Sequence, residues 1–184
     1  MYVATGSSPV LTGVPYRPQD VYVFYKLHLH VGNRLRRGSE HELDGFKFDG
    51  EIHLIHYNQK YGSFDNAVTK LDGLVVIGVF LQFQRFYRFL LLGADWKKEA
   101  FYDPRQLLPL QKDFLVYQGS LTTPPCSESV RHIVMRYPIN ISSQNLQALR
   151  QLPNNEGSPI SQYTNVRPLQ GRLYRRVDTN FPCF

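Results

Sequence analysis

Residues Leu74 to Leu81, Leu-Val-Val-Ile-Gly-Val-Phe-Leu, form an unbroken run of apolar residues and glycine that opens directly after an Asp72-Gly73 turn signal. A half-exposed strand alternates apolar and polar residues, and a buried helix runs longer. A short apolar run bounded by turn residues therefore fits a strand covered on both faces, near the centre of a sheet. The neighbouring segments agree. Val21–Val31 is rich in β-branched and aromatic residues and reads as a strand, as do Phe46–Tyr57, Phe114–Tyr117 and Val130–Tyr137. Helix signals are fewer: a short helix over Ser63–Leu71, and a longer one over Ser142–Leu152 with Ser142 as its N-cap. Twelve prolines and thirteen glycines, spread along the chain, favour short elements joined by turns. The expected fold class is α+β, mostly β: a single domain around a large, twisted, mainly antiparallel sheet with a few short helices. A length of 184 residues, 42% of them hydrophobic, suits one such domain with a substantial core. Residues 1–20, rich in Gly, Ser, Pro and Thr, are expected to form a loop or flexible arm, and 21–184 the domain proper.

Charge and composition narrow the function classes. The net charge is +6, with small clusters at Arg34, Arg36, Arg37 and at Arg172, Arg175, Arg176. No aromatic-interleaved nucleic-acid motif accompanies them, so they read as a solvated basic surface and no nucleic-acid partner is expected. No apolar stretch approaches the ~18 residues of a membrane span, so no transmembrane segment is expected. The first residues lack a basic start followed by a long apolar run, so no signal peptide is expected. Two cysteines, Cys126 and Cys183, are too few for a disulfide scaffold and can be paired or free.

Five of the six histidines fall between positions 28 and 56. His28 and His30 are two apart on a predicted strand, so both imidazoles leave the same face. Such a pair alone also fits ordinary core or surface histidines. His53 lies on the next predicted strand, and pairing of the two strands would bring a third imidazole to the first two. Three neutral imidazoles with a fourth position open is the arrangement of catalytic zinc. Strand phase selects His53 over His56, because Glu51, His53 and Ile55 share a face while His56 points away. Glu51 is then placed to anchor the free ring nitrogen of His53. His41, His56 and His132 read as structural or surface residues.

With those residues in view, the text resembles the α-class carbonic anhydrases. The resemblance is carried by Leu-His-Leu-His-Val-Gly (27–32), Gly-Ser-Glu-His-Glu-Leu-Asp (38–44) and Glu-Ile-His-Leu-Ile-His-Tyr-Asn (51–58). It continues in 72–81, in Tyr-Gln-Gly-Ser-Leu-Thr-Thr-Pro-Pro-Cys-Ser-Glu (117–128) and in the closing segment from Asn165-Val166-Arg167-Pro168 to Arg172. The resemblance implies reversible, zinc-dependent hydration of carbon dioxide to bicarbonate and a proton by a metal-bound hydroxide. It implies His28, His30 and His53 as Zn2+ ligands, and Glu51 as the carboxylate orienting the third. It also implies that Thr122 accepts from the hydroxide while donating to Glu40, with Tyr117 in the same supporting network. Ile55, Val76, Leu121 and Val130 match the apolar wall for carbon dioxide, and Thr123 a residue at the pocket rim.

Several positions depart from the family pattern. Lys26 stands where a glutamine orients the first ligand. A lysine has no acceptor for an imidazole N–H, so weaker zinc binding is expected. Val31 and His132 stand in place of tryptophans, and residues 83–100 do not match. The segment before His28 is shorter than in the family, and no proton-shuttle histidine is identified. The expectation is an N-terminally shortened or alternatively spliced member with impaired activity. The alternative is a weak or silent module acting in binding. Cys126 matches a cysteine of extracellular members and hints at that lineage. Without a signal peptide, a cytoplasmic location is the other expectation.

Overall fold

A computed structural model describes residues 2–5, 8–84, 103–153, 158–159 and 164–182. Among the described residues nine strands form one sheet: β1 (Tyr2–Thr5), β2 (Ser8–Leu11), β3 (Tyr22–Val31), β4 (Gly50–Asn58), β5 (Leu74–Phe83), β6 (Phe114–Gly119), β7 (Val130–Met135), β8 (Ile139–Ile141) and β9 (Val177–Thr179). Their spatial order is β1-β2-β3-β4-β5-β7-β6-β9, with β8 also pairing β5. All neighbours are antiparallel except β5, which runs parallel to β7 and β8. The helices are short: α1 (Phe64–Ala67), capped by the Ser63 side chain, and α2 (Ser143–Arg150), capped by Ser142. The expected α+β fold with its mainly antiparallel sheet is the fold observed.

β5 lies inside the sheet as its apolar run requires, and its first eight residues are all buried. Its odd-numbered residues Val75, Ile77, Val79 and Leu81 enter the larger core. They meet Ile52 and Leu54 of β4, Ile133 and Met135 of β7, and Leu146 and Leu149 from the apolar side of α2. The opposite face of the same strands carries Glu51, His53, Ile55, Val76, Gly78, Phe80 and His132. One strand-period rule thus separates core from candidate site.

Two features differ from the sequence expectation. Residues 1–20, expected as a loop or flexible arm, contribute β1 and β2, and Val10 and Leu11 pair with Val23 and Tyr22. Leu11 and Val14 are buried, so apolar burial outweighs the turn-rich composition there. Second, β3 carries a bulge between Phe24 and Lys26. Phe24 lies opposite His56, whereas Lys26 lies opposite Ile55, so the extra residue Tyr25 flips the phase of the strand. Phe24 therefore joins the core while Lys26, His28 and His30 share the other face. Of the unmatched stretch at 83–100, everything from 85 onward lies outside the described residues, as does Cys183. Cys126 is half-buried and free.

Candidate metal centre

His28 of β3 lies directly opposite His53 of β4, and His30 opposite Glu51. The rings of His30 and His53 approach to 4.6 Å between centroids. The His30 Nδ1–H donates to the Asn165 carbonyl at 2.9 Å, since a carbonyl only accepts. This leaves His30 Nε2 bare, and it is buried without a hydrogen-bond partner among the described residues. Asn165 also clamps the strand itself, accepting from the Val31 N–H at 2.9 Å and donating to the Leu29 carbonyl at 2.7 Å. On the neighbouring strand, His53 Nε2–H donates to Glu51 Oε1 at 2.9 Å, so His53 Nδ1 is the bare nitrogen. Both bare nitrogens face Glu40 Oε2, at 3.4 Å from His30 Nε2 and 3.8 Å from His53 Nδ1. His30, Glu40 and His53 present ligand atoms within 4.8 Å of one another. His28 is half-buried. Burial, then Lys26, His30 and His53, push its pKa down to about 4, so it stays neutral as a ligand must. His30 is likewise lowered, by burial and by His53.

A fully buried carboxylate organises this site from behind. Glu51 Oε2 accepts the backbone N–H groups of Glu40 and His41, each at 2.9 Å, while Oε1 accepts from His53 and from His41 Nδ1 at 2.6 Å. Burial alone would raise the Glu51 pKa. The His41 and His53 partners overcome it, and the carboxyl sits well below its usual range. His41 is raised in turn: its burial penalty is outweighed by the Glu51 charge and hydrogen bond. Its Nε2 meets the Tyr117 hydroxyl at 2.6 Å. Burial and then Glu51 raise the Tyr117 pKa, which keeps the phenol protonated. His41, Glu51 and His53 also sit close enough to hold a cation. Their facing atoms are already spent on one another, so that cluster is a hydrogen-bond network. The approach of the 38–41 segment needs Gly38, where a Cβ would stand 1.9 Å from the Asp49 carbonyl oxygen.

The remaining sequence-predicted residues fall around this centre. Ile55, Val76 and Val130 pack in one buried cluster with Leu121 against it, as an apolar wall would. Thr122 is half-buried on the β6–β7 loop and lines a cavity together with Glu40, while Thr123 is exposed. Glu40 and Thr122 share no hydrogen bond among the described residues. Glu40 Oε1 accepts instead from the Arg167 backbone N–H at 2.8 Å. The Lys26 Nζ lies over the rings of Tyr25 and Phe64, at 5.2 and 5.8 Å from their centroids, and gives His28 no acceptor. His56 is fully buried on the core face, edge-on to Phe24, as its strand phase requires.

His41, expected from the sequence to be structural or surface, is structural, and it joins Glu51 to Tyr117. The available signal was its place beside Glu40, but only the fold brings residue 41 under residue 51. Asn165 carries no local signal for its contacts with His30 and the β3 backbone. His132, 2% exposed, stacks on Tyr117 at 4.9 Å and donates through Nε2 to the Ser120 carbonyl at 2.9 Å. Burial and then His41 lower its pKa to about 3.

The family model for eukaryotic-type carbonic anhydrase matches residues 1–181. The chain belongs to that family. Carbonic anhydrase 3 from Homo sapiens is 37% identical over 172 residues, covering 87% of this chain and 66% of the relative. The Equus caballus and Rattus norvegicus proteins of the same name are 36% and 35% identical over 169 residues, covering 84% of this chain and 65% of each relative. The chain thus spans just under two thirds of the length of these curated relatives. For a carbonic anhydrase the donor set is apt. Imidazoles whose second nitrogens are anchored, as those of His30 and His53 are, suit zinc, and the bare, buried nitrogen of His30 is one that a cation would satisfy.

Proposed function

We propose that the chain holds Zn2+ on His28, His30 and His53 and catalyses the reversible hydration of carbon dioxide to bicarbonate and a proton. The observation that carries this reading is the convergence of two bare nitrogens, His30 Nε2 and His53 Nδ1, whose tautomers are set by Asn165 and Glu51. When bound, zinc supplies Lewis acidity strong enough for water to lose a proton near neutral pH.

The chain's own residues bind, orient and exclude. Glu51 and Asn165 hold two ligand rings so that their free nitrogens face one space. Ile55, Val76, Val130 and Leu121 offer an apolar seat to a substrate with no charge and little hydrogen-bonding capacity. An ionised Glu40 only accepts, so a Thr122 hydroxyl turned to it donates. The Thr122 oxygen is then left to accept from the attacking water and to aim its lone pair at carbon dioxide. His41, His56 and His132 are all held by hydrogen bonds within the fold, so none of the three is placed to carry the proton out.

A second reading, a metal-holding module with little or no turnover, is favoured by Lys26, which leaves His28 unanchored, and by the polar His132 beside the apolar wall. Zinc content and stopped-flow carbon dioxide hydration on the purified chain separate the two. Stoichiometric zinc with hydration that disappears in His53→Ala supports catalysis. Stoichiometric zinc without hydration supports the silent module. Failure to retain zinc at all sinks both.

A further inference from the structure

A cavity of about 310 Å3 opens beside the metal centre and includes none of its three histidines. Its lining includes the apolar residues Phe80, Leu115 and Val134 and the basic residues Arg167, Arg172 and Arg175. These guanidiniums are unusually placed: none makes an ion pair with a carboxylate among the described residues. Arg167 Nη1 reaches only the Ser120 hydroxyl at 3.3 Å and the Leu121 carbonyl at 3.5 Å. Arg172 and Arg175 each donate through Nε to the other's carbonyl at 3.1 Å, and Arg175 Nη2 also donates to the Gly171 carbonyl. A guanidinium has five donors, so most of the capacity of these three is unspent. Arg175 is also close enough to the Tyr117 phenol to act on it electrostatically. Its charge is therefore felt inside the cavity as well as by solvent.

Glu40 and Glu42 also line the cavity. Glu40 makes no ion pair with the arginines: one of its oxygens accepts from the Arg167 backbone N–H and the other faces His30 and His53. The balance is three cations against two carboxylates, with apolar residues in the same lining. Planar two-pronged donors match a carboxylate, and the apolar residues match a ring or branched aliphatic body. We propose that this cavity binds a small organic monocarboxylate, its carboxylate on the arginines and its apolar body on Phe80, Leu115 and Val134. The site is separate from the zinc ligands and does not rest on the zinc reading.

The bound carboxylate lies next to Tyr117, whose hydroxyl is linked through His41 and Glu51 to His53.

The test uses the full chain and benzoate as the probe, followed by titration calorimetry on zinc-loaded and chelator-treated protein. Saturable one-to-one binding of similar strength in both forms is expected. Benzamide, which has the same shape without the charge, should bind at least about tenfold more weakly, the lower end of what a charge-assisted hydrogen bond supplies. Arg175→Gln should weaken benzoate by about tenfold or more, and Arg175→Lys by less, because the charge survives without the fork. Arg172→Gln, on the exposed turn, is the second variant should Arg175→Gln fail to fold, and it too should weaken benzoate. Equal affinity for benzamide, unchanged affinity in the arginine variants, or no saturation by about 10 mM would each overturn the proposal. So would binding that vanishes on zinc removal, since the ligand would then sit on the metal.

Discussion

Lys26 concentrates the chemical question at the residue scale. Its ammonium rests over Tyr25 and Phe64, yet its charge still reaches His28 and helps hold that pKa down. Lys26→Gln removes the repulsion and offers His28 an acceptor. Zinc affinity, measured against a chromophoric chelator, should rise about tenfold, the low end of what ligand-orienting partners contribute. Equal affinities would end the idea. Glu51 is the opposite case. It accepts four hydrogen bonds with its two oxygens. A glutamine there must turn an NH2 toward N–H donors. Glu51→Gln should therefore lower zinc affinity by roughly 10–100-fold and destabilise the fold by about 2–3 kcal/mol, the cost of buried donors left unsatisfied. Chelator competition and urea unfolding read the two effects separately.

Among the elements, the strands that carry the site are positioned by close contacts rather than by propensity. Gly78 of β5 sits opposite His53, and a Cβ there would stand 2.7 Å from Glu51 Oε1. That oxygen is locked by two histidines and cannot give way cheaply. Gly78→Ala should cost about 1–3 kcal/mol by overpacking and weaken zinc retention along with stability, both visible in melts with and without the metal. The β2 strand is tested by Leu11, which is 6% exposed in the larger core. If residues 8–11 are a true part of the sheet, Leu11→Ala lowers unfolding free energy by about 2 kcal/mol or more. A flexible arm would show no change.

At the scale of the whole molecule, buried neutral histidines set the acid limit. His56 is fully buried and burial lowers its pKa to about 4, from an ordinary 6.5. As pH falls through 6.5 the unfolded chain takes up the proton first, so the stability present above that pH declines down to about pH 4. The loss from this one group is on the order of 3 kcal/mol. Denaturation midpoints between pH 7 and 4 should fall for the natural chain and fall less steeply for His56→Leu, which suits the apolar surroundings. Parallel slopes would exclude His56 as the cause. No helix of the described residues is long and apolar enough to cross a membrane.

Much of this organisation was legible beforehand because periodicity is local. The apolar run of β5, the shared face of His28 and His30, and the choice of His53 over His56 follow from the alternation of side chains along a strand. Long-range closeness has no such signature. Nothing adjacent in the chain announces that His41 would bridge Glu51 to Tyr117, that the Asn165 carbonyl would fix the His30 tautomer, or that Tyr25 would bulge and turn Phe24 into the core. Nor could composition show that Ser8–Leu11 would pair with β3, since that strand is held by a partner more than ten residues away. The sequence by itself determined which strand faces the histidine side chains leave. Only the tertiary structure decided which nitrogens stay bare, because a tautomer is set by the acceptor that the fold places beside the ring.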